Sequence, residues 1–268
     1  MAPDSFTTEV AIEAKALTRR FGAFVAVDQI SFRVERSRIF GLLGPNGAGK
    51  STTIKMLTTL LKPTSGRALV AGFDVVNEPA AVRGSIGYIS QMLSADGALT
   101  GWENLLLSAK LYGVPRLERR LRVAAALEFM NLTADARKLV KNYSGGMIRR
   151  LEIAQAMLHR PKVLFLDEPT IGLDPVARRA VWDRLLELRR EYAMTVLITT
   201  HDMEEADRLC DDLAILHLGK IAAAGTPASL KAAAGAGATL DDVFVKYSGG
   251  SINEGGNYRD IRQTRQTA

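Results

Sequence analysis

The chain has 268 residues, 47% of them apolar and 24% charged, enough for one large domain or two small ones around a buried core. Its 35 Lys and Arg exceed its 29 Asp and Glu to leave a net charge of +6. High apolar content with mixed charge excludes a disordered or acidic-tail class, and the mild basic excess fits nucleotide, nucleic-acid or membrane-surface partners without choosing among them.

The lone cysteine, Cys210, reads as a buried filler within a helix and points to a reducing compartment. No run reaches the ~18 apolar residues that a spanning helix needs. The start, Met1-Ala2-Pro3-Asp4-Ser5, reads as carrying no secretory signal.

The first forty residues read as strands. Val10, Ile12, Ala14 and Ala16 alternate with other positions, as do Ile30, Phe32 and Val34, with a turn expected at Arg19-Arg20-Phe21-Gly22. A strand over 38–43 leads into a glycine-rich turn and a helix whose Ile54, Leu57 and Leu61 share a face. From about 93 to 160 the pattern is helical, clearest at 102–112 and 117–130, and it interrupts the strand–helix alternation like an inserted subdomain. Alternation resumes with strands at 163–166, 195–200 and 213–216 and helices at 177–192 and 203–210, which predicts a mostly parallel sheet. After about 246 the chain reads as a poorly packed or partner-dependent tail.

Gly44-Pro45-Asn46-Gly47-Ala48-Gly49-Lys50-Ser51 fits G-x-x-x-x-G-K-[ST] between a strand and a helix. Glycines let backbone N–H groups converge on phosphate oxygens, and the helix N-terminus adds partial positive charge. Lys50 would reach the β- and γ-phosphates and the Ser51 hydroxyl would ligate Mg²⁺. Val163-Leu164-Phe165-Leu166-Asp167-Glu168 is an apolar run ending in two carboxylates, as a buried parallel strand bearing a site at its carboxyl end should look. Asp167 would hold Mg²⁺ through water and Glu168 would orient or deprotonate an attacking water; an acidic cap for the next helix gives the same letters.

Asn142-Tyr143-Ser144-Gly145-Gly146-Met147 opens a helix with Ile148, Leu151 and Leu158 on one face and Arg149 and Arg150 off it. A hydroxyl and two glycines there make either a second anion site or an ordinary cap. Ser144-Gly145-Gly146 shortly before a strand that ends in Asp-Glu resembles the signature motif of ABC ATPases, and the phosphate loop is similar to theirs too.

That resemblance covers about 10–245 and implies an α/β fold. It comprises a P-loop NTPase core with a mostly parallel sheet, an N-terminal antiparallel β subdomain and the inserted helical subdomain at about 93–160. The nucleotide-binding domain would be 1–246 and the tail 247–268. The resemblance implies a Q-loop role for Gln91, sensing Mg²⁺ and the attacking water, and a switch role for His201 at the γ-phosphate. It assigns Phe21 to stacking on adenine, Thr52 to the phosphate site, and Asp174, in Gly172-Leu173-Asp174, to the loop that crosses to a second subunit. Glu168, His201 and Lys50 are then the catalytic residues, with Ser51, Gln91 and Asp167 around Mg²⁺.

Three departures stand out: Met147 for the usual glutamine, Tyr143 for leucine and Phe21 for tyrosine. The Tyr-Ser-Gly-Gly-Met form and Leu240-Asp241-Asp242-Val243-Phe244 resemble the bacterial drug-exporter branch of the daunorubicin-resistance type. The resemblance implies two copies of the chain sandwiching two ATP molecules, each phosphate loop facing the other's Ser144, Gly145 and Gly146. It also implies a separate transmembrane permease docked beside residues 91–100, at the cytoplasmic face of the membrane. A cassette acting on nucleic acid or ribosomes is the alternative, although nucleic acid is not the expected partner. Tyr247-Ser248-Gly249-Gly250 repeats the signature letters without an amphipathic helix behind them and reads as a loop. Arg259, Arg262 and Arg265 read as a solvated basic tail.

Overall fold

A computed structural model describes residues 10–248; the Gly249-Gly250 pair, the tail arginines and the first five residues lie outside them. β1 (Val10–Phe21) and β2 (Phe24–Glu35) form a long antiparallel hairpin. Ile30, Phe32 and Val34 are buried along β2 as their alternation predicts. β1 departs from its pattern. Ala16 takes φ +47 in a bulge that shifts the register between Ala14 and Leu17, so Leu17 is buried while Ala16 is exposed. Val10, before a separate register shift at the strand's start, is exposed as well. Arg19 and Arg20, expected in the turn, continue the strand opposite Val27 and Val25.

β3 (Ile39–Leu43) runs into the phosphate loop and α1 (Lys50–Leu57); Leu61 falls beyond the helix it was expected to share. β4 (Ser65–Val70) and β5 (Phe73–Asp74) complete a four-stranded antiparallel sheet in the order β2-β1-β4-β5. After α2 (Pro79–Ser85) and β6 (Ile86–Ile89) come the helices of the insertion, α3 (Gly101–Leu111), α4 (Arg119–Phe129) and α5 (Gly145–Met157). α3 starts where it does because Thr100 and Glu103 form a reciprocal capping box.

The remaining elements are β7 (Val163–Asp167), α6 (Pro175–Tyr192), β8 (Thr195–Thr200), α7 (Met203–Leu209), β9 (Asp212–His217) and β10 (Lys220–Gly225). They build a six-stranded sheet in the order β10-β9-β3-β8-β7-β6, parallel except for the β9–β10 hairpin. Both faces of this sheet are covered at its centre, so β3, β7 and β8 are buried at every position, whereas the edge strand β10 is alternately exposed. Val163 and Phe165 turn toward the antiparallel sheet and α1, whereas Leu164 and Leu166 turn toward the helical insertion.

α8 (Pro227–Ala234) and α9 (Leu240–Ser248) close the described chain. Leu240, Val243 and Phe244 of α9 are buried in the main core. Tyr247 and Ser248, read from sequence as a loop, form the last turn of this helix. Cys210 is buried but caps α7 rather than sitting within it.

Candidate functional site

The carboxyl ends of four neighbouring strands deliver the candidate residues to one place, because parallel strands end on the same side of a sheet. β3 delivers the phosphate loop, β8 His201, β7 Asp167 and Glu168, and β6 Gln91. In the loop, Gly47 and Gly49 have φ +83 and +106, a region that L side chains rarely adopt. A Cβ on Gly44 would meet the carbonyl oxygen of Leu216 at 2.5 Å. Gly44 is thus packed against the end of β9, and the loop is closed by the Gly44 N–H donating to the Thr200 carbonyl and the Ala48 N–H donating to the Pro45 carbonyl.

Lys50 is buried, and its Nζ donates to the carbonyls of Gly44 at 2.7 Å and Pro45 at 3.2 Å. The same nitrogen lies 3.2 Å from Glu168 Oε1. Burial pushes the Lys50 amine below the usual lysine range, and the neighbouring Glu168 carboxylate opposes that shift. His201 Nδ1 approaches Glu168 Oε1 at 3.3 Å, and Gln91 Nε2 stands 3.5 Å from Glu168 Oε2, the outer limit of a hydrogen bond. Glu168 is thus the hub to which Lys50, His201 and Gln91 all point.

Glu168 itself has φ +50, an uncommon backbone for a non-glycine residue. Its N–H is held by the Thr199 carbonyl at 3.1 Å and the Thr199 hydroxyl at 3.0 Å. That hydroxyl also donates to Asp167 Oδ1 at 2.5 Å, which in turn accepts from the Ser51 hydroxyl at 3.0 Å. Sequence reasoning missed Thr199, although its place at the end of a buried strand could have flagged it. Ser51 and Asp167 present hard oxygen donors side by side, the set that suits Mg²⁺ sharing its remaining positions with phosphate and water.

Lys50, Ser51, Gln91 and Glu168 line a cleft of about 610 Å³ that also takes in Phe21, Pro45, Asn46, Gly47, Gly49 and Thr52. Asp167 is buried behind Ser51, and His201 lines a smaller adjoining hollow that shares Glu168. Phe24 and Ala26 share the cleft wall and were not singled out from sequence. Phe24 follows the hairpin turn, and alternation alone does not show that it would be 64% exposed beside a ligand cleft. The Arg19 guanidinium covers one face of the Phe21 ring at 4.5 Å, leaving the other for a partner. Gly44 and Ala48 belong to the loop but lie beneath the cleft, not on its wall.

Ser144, Gly145, Gly146 and Asp174 are not among the residues that line the cleft. Ser144 caps α5 by accepting from the Met147 N–H at 3.3 Å, and a Cβ on Gly146 would come within 2.7 Å of Ala177 Cβ on α6. Asp174 caps α6, accepting from the Val176 and Ala177 N–H groups. Ser144, Gly145 and Asp174 are all exposed. Arg149, expected off the apolar face, is instead 2% exposed and donates to the carbonyls of Ser90 and Gln91. Periodicity gave no sign of that burial, because its partners are Glu152 and two backbone carbonyls in a distant loop.

The phosphate loop at a parallel strand end, facing an acidic strand terminus, defines a P-loop nucleotide-binding protein. The profile of the family described as ABC transporter matches residues 27–171. The doxorubicin resistance ATP-binding protein DrrA of Mycobacterium tuberculosis is 45% identical over 214 residues, 80% of this chain and 64% of that protein. The daunorubicin/doxorubicin resistance ATP-binding protein DrrA of Streptomyces peucetius is 45% identical over 226 residues, 84% of this chain and 68% of that protein. A solved structure described as the ATP-binding subunit of an ABC transporter superposes with a TM-score of 0.78 at 32% identity, covering 88% of this chain and 99% of that one. The chain belongs to the ABC transporter family. It spans 64% and 68% of the length of those two relatives, and membership implies nucleotide binding.

Proposed function

We propose that the chain is the ATP-binding and hydrolysing subunit of an ABC exporter. Two copies close around two ATP molecules and power efflux of a drug-like or lipid-like compound through a separate permease at the cytoplasmic face of the membrane. The observation that carries this reading is the division of the site. The cleft is lined by Lys50, Ser51 and Glu168, with Asp167 bonded to Ser51 behind its wall, while Ser144 and Gly145 sit exposed outside it.

The chemistry follows from the hub. An entering triphosphate draws the Lys50 ammonium from Glu168 toward the β- and γ-phosphate oxygens, because phosphate carries more charge than one carboxylate. Glu168 then accepts a proton from the water whose oxygen attacks the γ-phosphorus, and the bond to the β,γ-bridging oxygen breaks to leave ADP and inorganic phosphate. His201 and Gln91 hold the carboxylate and the water in line. Mg²⁺, held by Ser51 and Asp167, would neutralise charge on the phosphate oxygens. Phe21 offers its open face to adenine.

Among the described residues no helix is long and apolar enough to cross a membrane, so the reading assigns the passage to another polypeptide. Met92 and Leu93, 80% and 52% exposed just after Gln91, support contact with that polypeptide at 91–100. The names of the relatives favour drug export over the nucleic-acid alternative. In cells lacking the chain, the wild type should lower the accumulation of an anthracycline-type drug and Glu168→Gln should not. Equal accumulation with and without the wild-type chain would remove export.

A further inference from the structure

We infer that Arg149 and Glu152 form a positioning pair that sets Gln91 for turnover from the helix carrying the Ser144–Gly146 turn. The inference rests on the proposed ATP-hydrolysing role of the cleft. Arg149 lies one turn into α5 with Glu152 beside it on the next turn, and both side chains are 2% exposed. Arg149 Nη1 donates to Glu152 Oε2 at 3.0 Å and to the Ser90 carbonyl at 2.9 Å, while Nη2 donates to the Gln91 carbonyl at 3.1 Å. The other Glu152 oxygen accepts from the Ser94 N–H and, at 3.1 Å, from the Ser94 hydroxyl.

Both halves of one buried ion pair therefore grip the irregular segment around Gln91. A buried pair contributes little net stability over an apolar replacement of similar size, so its value here lies in geometry. Only a planar fork reaches two successive carbonyls and a carboxylate at once, which a lysine cannot do. Gln91 in turn extends its side chain toward Glu168. A shift of α5, whose first turn is the Ser144–Gly146 cap, thereby moves the backbone from which Gln91 reaches the hub. Contact between a second copy and that cap is then transmitted to the cleft of the same chain by two charged side chains.

Steady-state ATP hydrolysis by the full chain tests this with Arg149→Lys and with the paired apolar replacement Arg149→Met/Glu152→Met, each with and without Gln91→Ala. Thermal melting monitors the fold, and Arg149→Lys carries the test if the paired variant does not fold. The expected result is an unchanged KM for ATP and a kcat lower by roughly 10- to 100-fold, the scale of a misplaced catalytic group. Adding Gln91→Ala should then lower kcat no further, since groups acting through one another are not additive. Losses that multiply, or an Arg149→Lys variant with wild-type kcat, would overturn the inference. A wild-type chain with no ATP turnover at all would overturn the underlying ATPase reading instead, and the inference with it.

Discussion

The Lys50 ammonium stands 3.2 Å from the Glu168 carboxylate, with the two side chains only 4% and 8% exposed. A pair so placed holds the phosphate-binding cation and the candidate base together until a ligand separates them. Replacing Glu168 with Gln keeps the shape and removes the proton acceptor. Turnover should fall by about 10²–10⁴-fold, the range for a lost general base, with ATP binding retained in an equilibrium titration. Hydrolysis at the wild-type rate would take Glu168 out of the mechanism.

The Thr199 hydroxyl joins Asp167 Oδ1 to the Glu168 N–H inside the sheet. Thr199→Val keeps the volume but leaves the Asp167 oxygen short of a donor. Denaturant unfolding should show a loss of about 1–3 kcal/mol, the penalty for a buried polar group without its partner, and Thr199→Ser should recover most of it. An unchanged unfolding midpoint for Thr199→Val would show that the hydroxyl bears no strain.

Much of this was legible in the sequence because the signals are local. A phosphate loop needs its glycines and lysine in one unbroken run, and a doubly covered strand announces itself by continuous apolar residues such as Val163–Leu166. What escaped were relationships that only tertiary contact creates. Arg149 was legible only as lying off the apolar face; its burial escaped because its partners include the carbonyls of Ser90 and Gln91, which leave no mark in helical periodicity. The bulge at Ala16 inverted the strand pattern over part of β1, since one extra residue swaps inside for outside. Tyr247 and Ser248 read as loop because the helix that holds them is fixed by Leu240, Val243 and Phe244 upstream and not by anything after them.

Glu205 is a buried carboxyl whose Oε1 accepts from the Thr170 hydroxyl at 2.7 Å and the Trp182 indole at 2.8 Å. Burial raises its pKa above the usual glutamate range, against the pull of those hydrogen bonds. The unfolded chain therefore releases this proton at lower pH than the native one, and stability drains away as pH climbs from about 4.5 through the raised value. Glu205→Gln keeps an oxygen for both donors and cannot ionise. The Tm of the Gln variant relative to wild type should rise as pH climbs above about 4.5 and level off above the raised native value; Tm curves that stay parallel from pH 4.5 upward would contradict a raised pKa.

Phe21 offers one ring face to the cleft, the other being covered by Arg19. Loss of that face in Phe21→Ala should weaken ATP binding by about 1–3 kcal/mol, the usual scale of base–aromatic stacking, and Phe21→Tyr should bind like wild type. Calorimetric titration checks both. Equal affinity for Phe21→Ala would place adenine elsewhere in the cleft.

The division of the site between two copies is tested most directly by mixing two variants that are each inactive alone. Lys50→Ala breaks the phosphate loop of its own chain, and Ser144→Arg blocks the cap that it offers to a second chain. A mixed pair assembles one cleft from the intact Lys50 of the second variant and the intact Ser144 of the first. ATP hydrolysis should therefore reappear on mixing. A mixture as inactive as its two components would mean that each chain completes its own cleft.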